Sequence, residues 1–164
     1  MRKLRLAAII MMASLTAFVG CTKDNKENEK TYTLEYKLSN EGRIINPLTG
    51  EEIVKQLSPC FHFDISYVNS NGDTVKEHDV TLPWQKSFTI KRPFHAWFSG
   101  SAYFNENELP DTVNFGKPYS LRIFGDGVAI DHENTDIVTV SKERFLSHYV
   151  GTSRMNFSCE HSFE

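Results

Sequence analysis

From Tyr32 onward oily and polar residues change places with a period of two. Tyr32, Leu34, Tyr36 and Leu38 alternate with Thr33, Glu35, Lys37 and Ser39, which predicts a strand with one buried and one wet face. Phe61, Phe63, Ile65 and Tyr67 alternate with His62, Asp64, Ser66 and Val68 in the same way. The following Asn69–Asp73 stretch, with its Asn71-Gly72 pair, is a hairpin turn that returns Thr74 to Leu82 as partner. Leu82, Trp84, Phe88 and Ile90 continue the inward set around Pro83, with a bulge or bend expected at Lys86. Phe94, Ala96, Phe98, Gly100, Ala102 and Phe104 form the inner side of a long strand, and His95, Trp97, Ser99, Ser101 and Tyr103 its outer side. Tyr119, Leu121 and Ile123 face Val128 and Ile130 across Gly125-Asp126-Gly127, a second tight hairpin. Ile137 to Val140 and Arg154 to Cys159 supply further short strands. Helix is expected only at Gly50 to Leu57 and at Ser141 to His148, the latter capped by Ser141.

Short strands punctuated by turn signals about every ten residues predict an all-β fold, an antiparallel two-sheet sandwich of about seven or eight strands with minor helical turns. A closed barrel is the competing architecture. The bulky aromatic inner faces favour the sandwich, since they fill its core, whereas a ligand-holding barrel is longer and hollow. With 40% hydrophobic and 24% charged residues the chain is too apolar for disorder.

The first twenty residues depart from this rhythm. Arg2, Lys3 and Arg5 precede an apolar run of 14 residues, Leu6 to Val19, too short for a comfortable permanent span and ordered like a signal peptide. The ending Phe18-Val19-Gly20-Cys21 resembles the lipobox of bacterial lipoproteins. That resemblance implies cleavage before Cys21, diacylglycerol on its thiol and anchoring in a membrane. Residues 21–30 contain no apolar side chain after Cys21 and form a tether. Asp24 and Glu27 in it loosely resemble the surface-export signals of Bacteroidetes lipoproteins. The expected location is the outer membrane, on the cell surface or the periplasmic face. Residues 31–164 form the β-sandwich domain.

Charge narrows the partners. Three of the 18 Lys+Arg and none of the 21 Asp+Glu lie in the first twenty residues, which leaves the remainder with a net charge of −6. A polyanion is repelled on average, no basic stripe offsets this, and nucleic acid is not an expected partner.

The segments FHFDISYVNSNGDT, TLPWQKSFTIK, PFHAWFSGSAYFN and YSLRIFGDGVAI together resemble the small Bacteroidetes lipoproteins whose domain is similar to the mycobacterial MmpS membrane proteins. The residues that carry the resemblance are Tyr67, Asn69, Asn71 and Gly72, then Leu82, Pro83, Trp84, Lys86 and Phe88, then Gly127 and Val128. It covers about Tyr32 to Ile130 and implies an immunoglobulin-like sandwich without an established enzyme activity, in a family associated with envelope lipid export. The chain departs from that pattern at Arg43 to Pro59, in the expected loop Asn105 to Lys117, and after Asp131.

Once Cys21 is acylated, Cys60 and Cys159 remain, and in an oxidising compartment a disulfide between them is expected; two separate buried thiols are the alternative. The six histidines, His62, His78, His95, His132, His148 and His161, show no HxH, HExxH or CxxC spacing, so no metal or other cofactor is expected. Asp131, Glu133 and Asp136 lack the glycine and terminal glutamate of a calcium loop. No Gly-x-Ser-x-Gly elbow supports a hydrolase, and the chain is expected not to be an enzyme. His95, Trp97 and Tyr103 on one strand face make a binding strip for a sugar or a protein, or for a second copy in a homodimer, unless a loop or the tail covers it. Asp73-Thr74-Val75 and Asp111-Thr112-Val113 resemble the acceptor motif of Bacteroidetes O-glycosylation, which implies modification of Thr74 and Thr112 in turns or loops. The favoured function is a lipid-anchored interaction or ligand-binding module of the cell envelope, and the alternative is an accessory subunit of an envelope transport or assembly system.

Overall fold

Twelve strands follow one another along the chain: β1 (Thr31–Leu38), β2 (Glu41–Ile45), β3 (Glu52–Gln56), β4 (Phe61–Val68), β5 (Thr74–Val80), β6 (Trp84–Lys91), β7 (Phe94–Phe104), β8 (Thr112–Gly116), β9 (Tyr119–Gly125), β10 (Val128–Asn134), β11 (Ile137–Ser141) and β12 (Arg154–Phe163). Among the described residues one helix, α1 (Lys142–His148), and a 3-10 turn at Glu106–Glu108 accompany these strands. The computed structural model describes residues 30–125, 128–134, 136–149 and 154–164. The expected signal peptide, Cys21, the tether before Lys30, and Gly127 lie outside the described residues.

Two four-stranded antiparallel sheets, in the orders β10-β9-β1-β6 and β12-β7-β4-β5, form the sandwich. Two ribbons, β2-β3 and β11-β8, add four strands at the end where β1 stops. The all-β architecture is the one the alternation predicts, and the expected strands are those of the main sheets together with β11. The inner side chains of β1, Tyr32, Leu34, Tyr36 and Leu38, are all buried, as are Phe61, Phe63, Ile65 and Tyr67 of β4. Aromatic rings weld the two layers: Tyr36 lies 5.3 Å from Phe98 and 5.5 Å from Tyr67, and Trp84 stacks on Phe98 at 5.8 Å. At the ribbon end, Phe145 of α1 is fully buried between Phe104 and Phe115. Ser141 caps that helix by accepting the Arg144 N–H at 3.3 Å.

β6 runs without the bulge or bend expected at Lys86, which pairs with Tyr36 in an unbroken register. Three further local expectations need correction. Gly50 to Leu57 is not helical: β3 pairs there with β2, Ile53 opposite Ile44. The apolar spacing of Ile53, Val54 and Leu57 suits a helix, but the partner strand just upstream satisfies the backbone first. The segment Asn105 to Lys117 contains β8, and Thr112 begins that strand opposite Ser141 rather than sitting in a loop. Thr74 likewise opens β5, and both threonines are exposed.

The third correction concerns the cysteines, which are both free. Cys60 precedes Phe61, which pairs with Phe104, whereas Cys159 pairs with Phe98. Six steps along β7 separate the two, about 20 Å at the rise of a strand. Bridged cysteines need Cα atoms within about 7 Å.

Candidate functional site

The outer face of the β12-β7-β4-β5 sheet is laid out in cross-strand rows by its register. His62, Tyr103 and Arg154 form one row, Asp64, Ser101 and Asn156 the next, then Ser66, Ser99 and Ser158, then Trp97 and Glu160, then His95 and Ser162. The final strand, β12, pairs edge to edge with β7. It therefore extends this face instead of lying across it: His95 is exposed, and Trp97 and Tyr103 are half-buried. His95, Trp97 and Tyr103 thus share one face as their spacing predicts, Trp97 and Tyr103 about 20 Å apart along the strand.

At the Tyr103 end, β5 carries one residue more than β4, because Ile65 pairs with Glu77 and Phe63 with Val80. Within this bulge Asp79 takes a φ of 51°, a left-handed conformation that asparagine and aspartate tolerate best among side-chain-bearing residues. Its backbone N–H donates to Asp64 Oδ1 at 3.1 Å, which fixes the bend. The re-aimed Asp79 carboxylate meets His62 Nδ1 at 2.7 Å and accepts the Tyr103 hydroxyl at 3.3 Å. The His62 ring stacks on Tyr103 at 5.4 Å, and the Arg154 guanidinium lies over the same ring at 5.8 Å. Asp64 also faces His78 Nδ1 at 3.2 Å and Arg154 Nη1 at 3.9 Å. Partial burial, and after it the Asp79 and Asp64 charges, hold the Tyr103 hydroxyl above the usual phenol range, so it remains a donor.

Between the two aromatic ends the floor is low. A hollow of about 580 Å³ is bordered by Asp64, Lys76, His78, Ser99, Ser101 and Asn156. A second, of about 620 Å³, lies beside Trp97 and Glu160, and the two share Tyr119 and Ser158. At the Trp97 end, His95 Nδ1 lies 2.9 Å from the Ser162 hydroxyl and its Nε2 3.6 Å from Glu160.

Asp79 is engaged by both His62 and Tyr103. Among the described residues no three His, Cys, Asp or Glu side chains gather to hold a metal ion. Asp131 and Glu133 lie on β10, where Arg122 clamps them at 3.2 and 2.9 Å. Sequence reasoning missed His62, Asp64, His78, Asp79 and Arg154 as a group. The signal was present in part: folding β5 back from the Asn71-Gly72 turn brings His78 toward Asp64.

No protein-family model matches the chain, and no curated protein matches it.

Proposed function

We propose that the chain is a lipid-anchored, non-catalytic ligand-binding module of the cell envelope, moored through Cys21 at the outer membrane and engaging its ligand with the outer face of the β12-β7-β4-β5 sheet. One observation carries this reading. Trp97 stands half-exposed on the outer face of the β12-β7-β4-β5 sheet, at the other end of β7 from a Tyr103 ring held in place by His62, Asp79 and Arg154. A large ring left in partial contact with water on a rigid sheet contributes little to the core and is already oriented for a ligand.

The test has two arms. Radiolabelled palmitate supplied to growing cells is expected to enter the wild-type protein and not Cys21→Ser; equal labelling of both would remove the anchor from the reading. Immobilised wild-type protein is expected to retain a ligand from native envelope that Trp97→Ala, with an unchanged thermal melt, does not. Equal retention by both proteins would remove the face.

A further inference from the structure

We propose that the ligand of this face is a linear, uncharged oligosaccharide, lying along β7 with one sugar stacked on Trp97 and the other end against the His62–Tyr103–Arg154 row. The proposal rests on the reading of the face as a binding surface and adds the chemical class of what it binds.

The first argument is shape. Between Trp97 and Tyr103 the rows on β4, β7 and β12 carry Asp64, Ser66, Ser99, Ser101, Asn156 and Ser158, all short side chains, with Lys76 of β5 at one margin, so the strand backbones form a shallow trough with a taller ring at each end. Its length, about 20 Å, spans several pyranose rings and far exceeds one. A sugar chain is flat and narrow enough to lie in such a trough, whereas a folded protein partner needs a broad surface with an apolar centre. Here the centre is hydroxyl, amide and the paired Asp64 carboxylate.

The second argument is hydrogen-bonding capacity. Among the described residues, no other side chain engages the hydroxyls of Ser66, Ser99, Ser101 and Ser158 or the Asn156 amide. Each hydroxyl both donates and accepts, and an amide does the same, which is the vocabulary a polyol needs. Trp97 supplies an apolar ring face for the C–H face of a sugar, while the Tyr103 ring, stacked by His62 and overlain by Arg154, walls the other end.

The third argument is charge. Lys76, Lys117 and Arg154 stand around the trough against Asp64, Asp79 and Glu160, and at the Trp97 end Arg122 clamps Asp131 and Glu133 of β10, so the carboxylates that border it do not stand alone. The three carboxylates already face partners: Asp64 has His78 and Arg154, Asp79 has His62 and Tyr103, and Glu160 has His95. A polyanionic glycan or a basic peptide finds no complementary field, and an uncharged one meets no desolvation penalty from an unpaired ion.

The test is a fluorescence titration of the processed full-length protein. Trp97 reports the site, and the buried Trp84 serves as an internal reference. Probes are cello-, xylo-, manno- and chito-oligosaccharides from disaccharide to hexasaccharide, with oligogalacturonate as the acidic arm and a lysine-rich peptide as the basic one. At least one neutral series is expected to bind, with affinity that rises with chain length and changes little with salt. Trp97→Ala and Ser99→Val are each expected to weaken that binding about tenfold or more, a loss of about 1.4 kcal/mol, with the thermal melt unchanged. Should Trp97→Ala fail to fold, Ser158→Arg, which fills the trough from an exposed position, carries the same expectation.

Binding confined to the acidic or basic probe and abolished by salt would overturn the proposal. So would a dimer that Trp97→Ala dissociates, since a second copy would then occupy the face. If no neutral probe binds while envelope capture still depends on Trp97, the sugar is wrong and the binding face stands. Loss of dependence on Trp97 in both assays removes the face itself.

Discussion

The ring of Phe157 lies across the bare Cα of Gly100, the residue directly opposite it on β7. A Cβ at position 100 would meet Phe157 Cζ at 2.6 Å and the Asp64 carbonyl oxygen also at 2.6 Å. The ring can tilt, but the backbone oxygen belongs to a paired strand and cannot. Gly100→Ala is therefore expected to destabilise the domain by about 1–3 kcal/mol through overpacking. In urea denaturation this appears as a lower midpoint with an unchanged slope. Because Asp64 holds the Asp79 bend, the same substitution should also disturb the outer face of the sheet around Tyr103.

Tyr36 ties the sheets together through its hydroxyl, which donates to the Val68 carbonyl at 3.0 Å and accepts from the Trp97 backbone N–H. Burial raises its pKa well above the ordinary phenol range, so it stays protonated. Tyr36→Phe leaves those backbone groups without their partner in a fully buried site and should cost about 1–3 kcal/mol. Tyr36→Leu adds the loss of ring packing and should cost more, and comparing the two by urea titration separates the hydroxyl from the ring.

Glu77 gives the fold an acid-sensitive latch between β5 and β6. Burial disfavours its charge, but the Tyr67 hydroxyl at 2.7 Å, the Trp84 indole N–H at 2.9 Å and the Lys86 ammonium at 3.4 Å outweigh it and hold the carboxyl below its ordinary value of 4.5. A carboxyl whose folded pKa is depressed contributes stability that is fully present above the unfolded pKa. That contribution is lost as pH falls through the folded one. Stability is therefore expected to fall below about pH 4.5. Glu77→Gln should be less stable than wild type at neutral pH and converge on it in acid. A constant gap across that range would contradict the latch. Tyr67, its partner, is pushed up to about 12 by burial and by Glu77, and so stays a donor throughout.

The two thiols should be unreactive and unlinked. Burial pushes Cys159 up to about 12 and raises Cys60 as well, which suppresses the thiolate needed for attack. Iodoacetamide at neutral pH is expected to label both only in denaturant, and peptide mapping without reduction should find each peptide uncrosslinked. A Cys60–Cys159 crosslinked peptide would contradict the register on either side of β7.

Much of this was readable from the chain. The alternation of β1, β4 and β7 assigned inner and outer faces correctly, and outward-facing Trp97 followed from period two alone. Reading His62 and Asp64 as simply wet residues missed their roles, because their partners come from β5 and β12. The bulge that turns Asp79 toward His62 has no composition signature, since a single extra residue in β5 is visible only against the register of β4. The ribbon β2-β3 was misread for a related reason: the Ile53, Val54 and Leu57 spacing fits one helical face, and only its pairing with Glu41–Ile45 makes it a strand. The cysteine pairing failed on distance, which depends on how far along β7 each neighbour starts.

The place of β1 has a mechanical consequence. It is bonded to β6 along Thr31–Leu38 and to β9 along Thr33–Leu38, with the chain entering from Lys30 at one end of the strand. Any tug arriving from the N-terminal side runs along its axis, at right angles to both hydrogen-bond ladders. Both ladders must then give way together instead of peeling one rung at a time, so the domain is built to resist force applied through its N-terminal side.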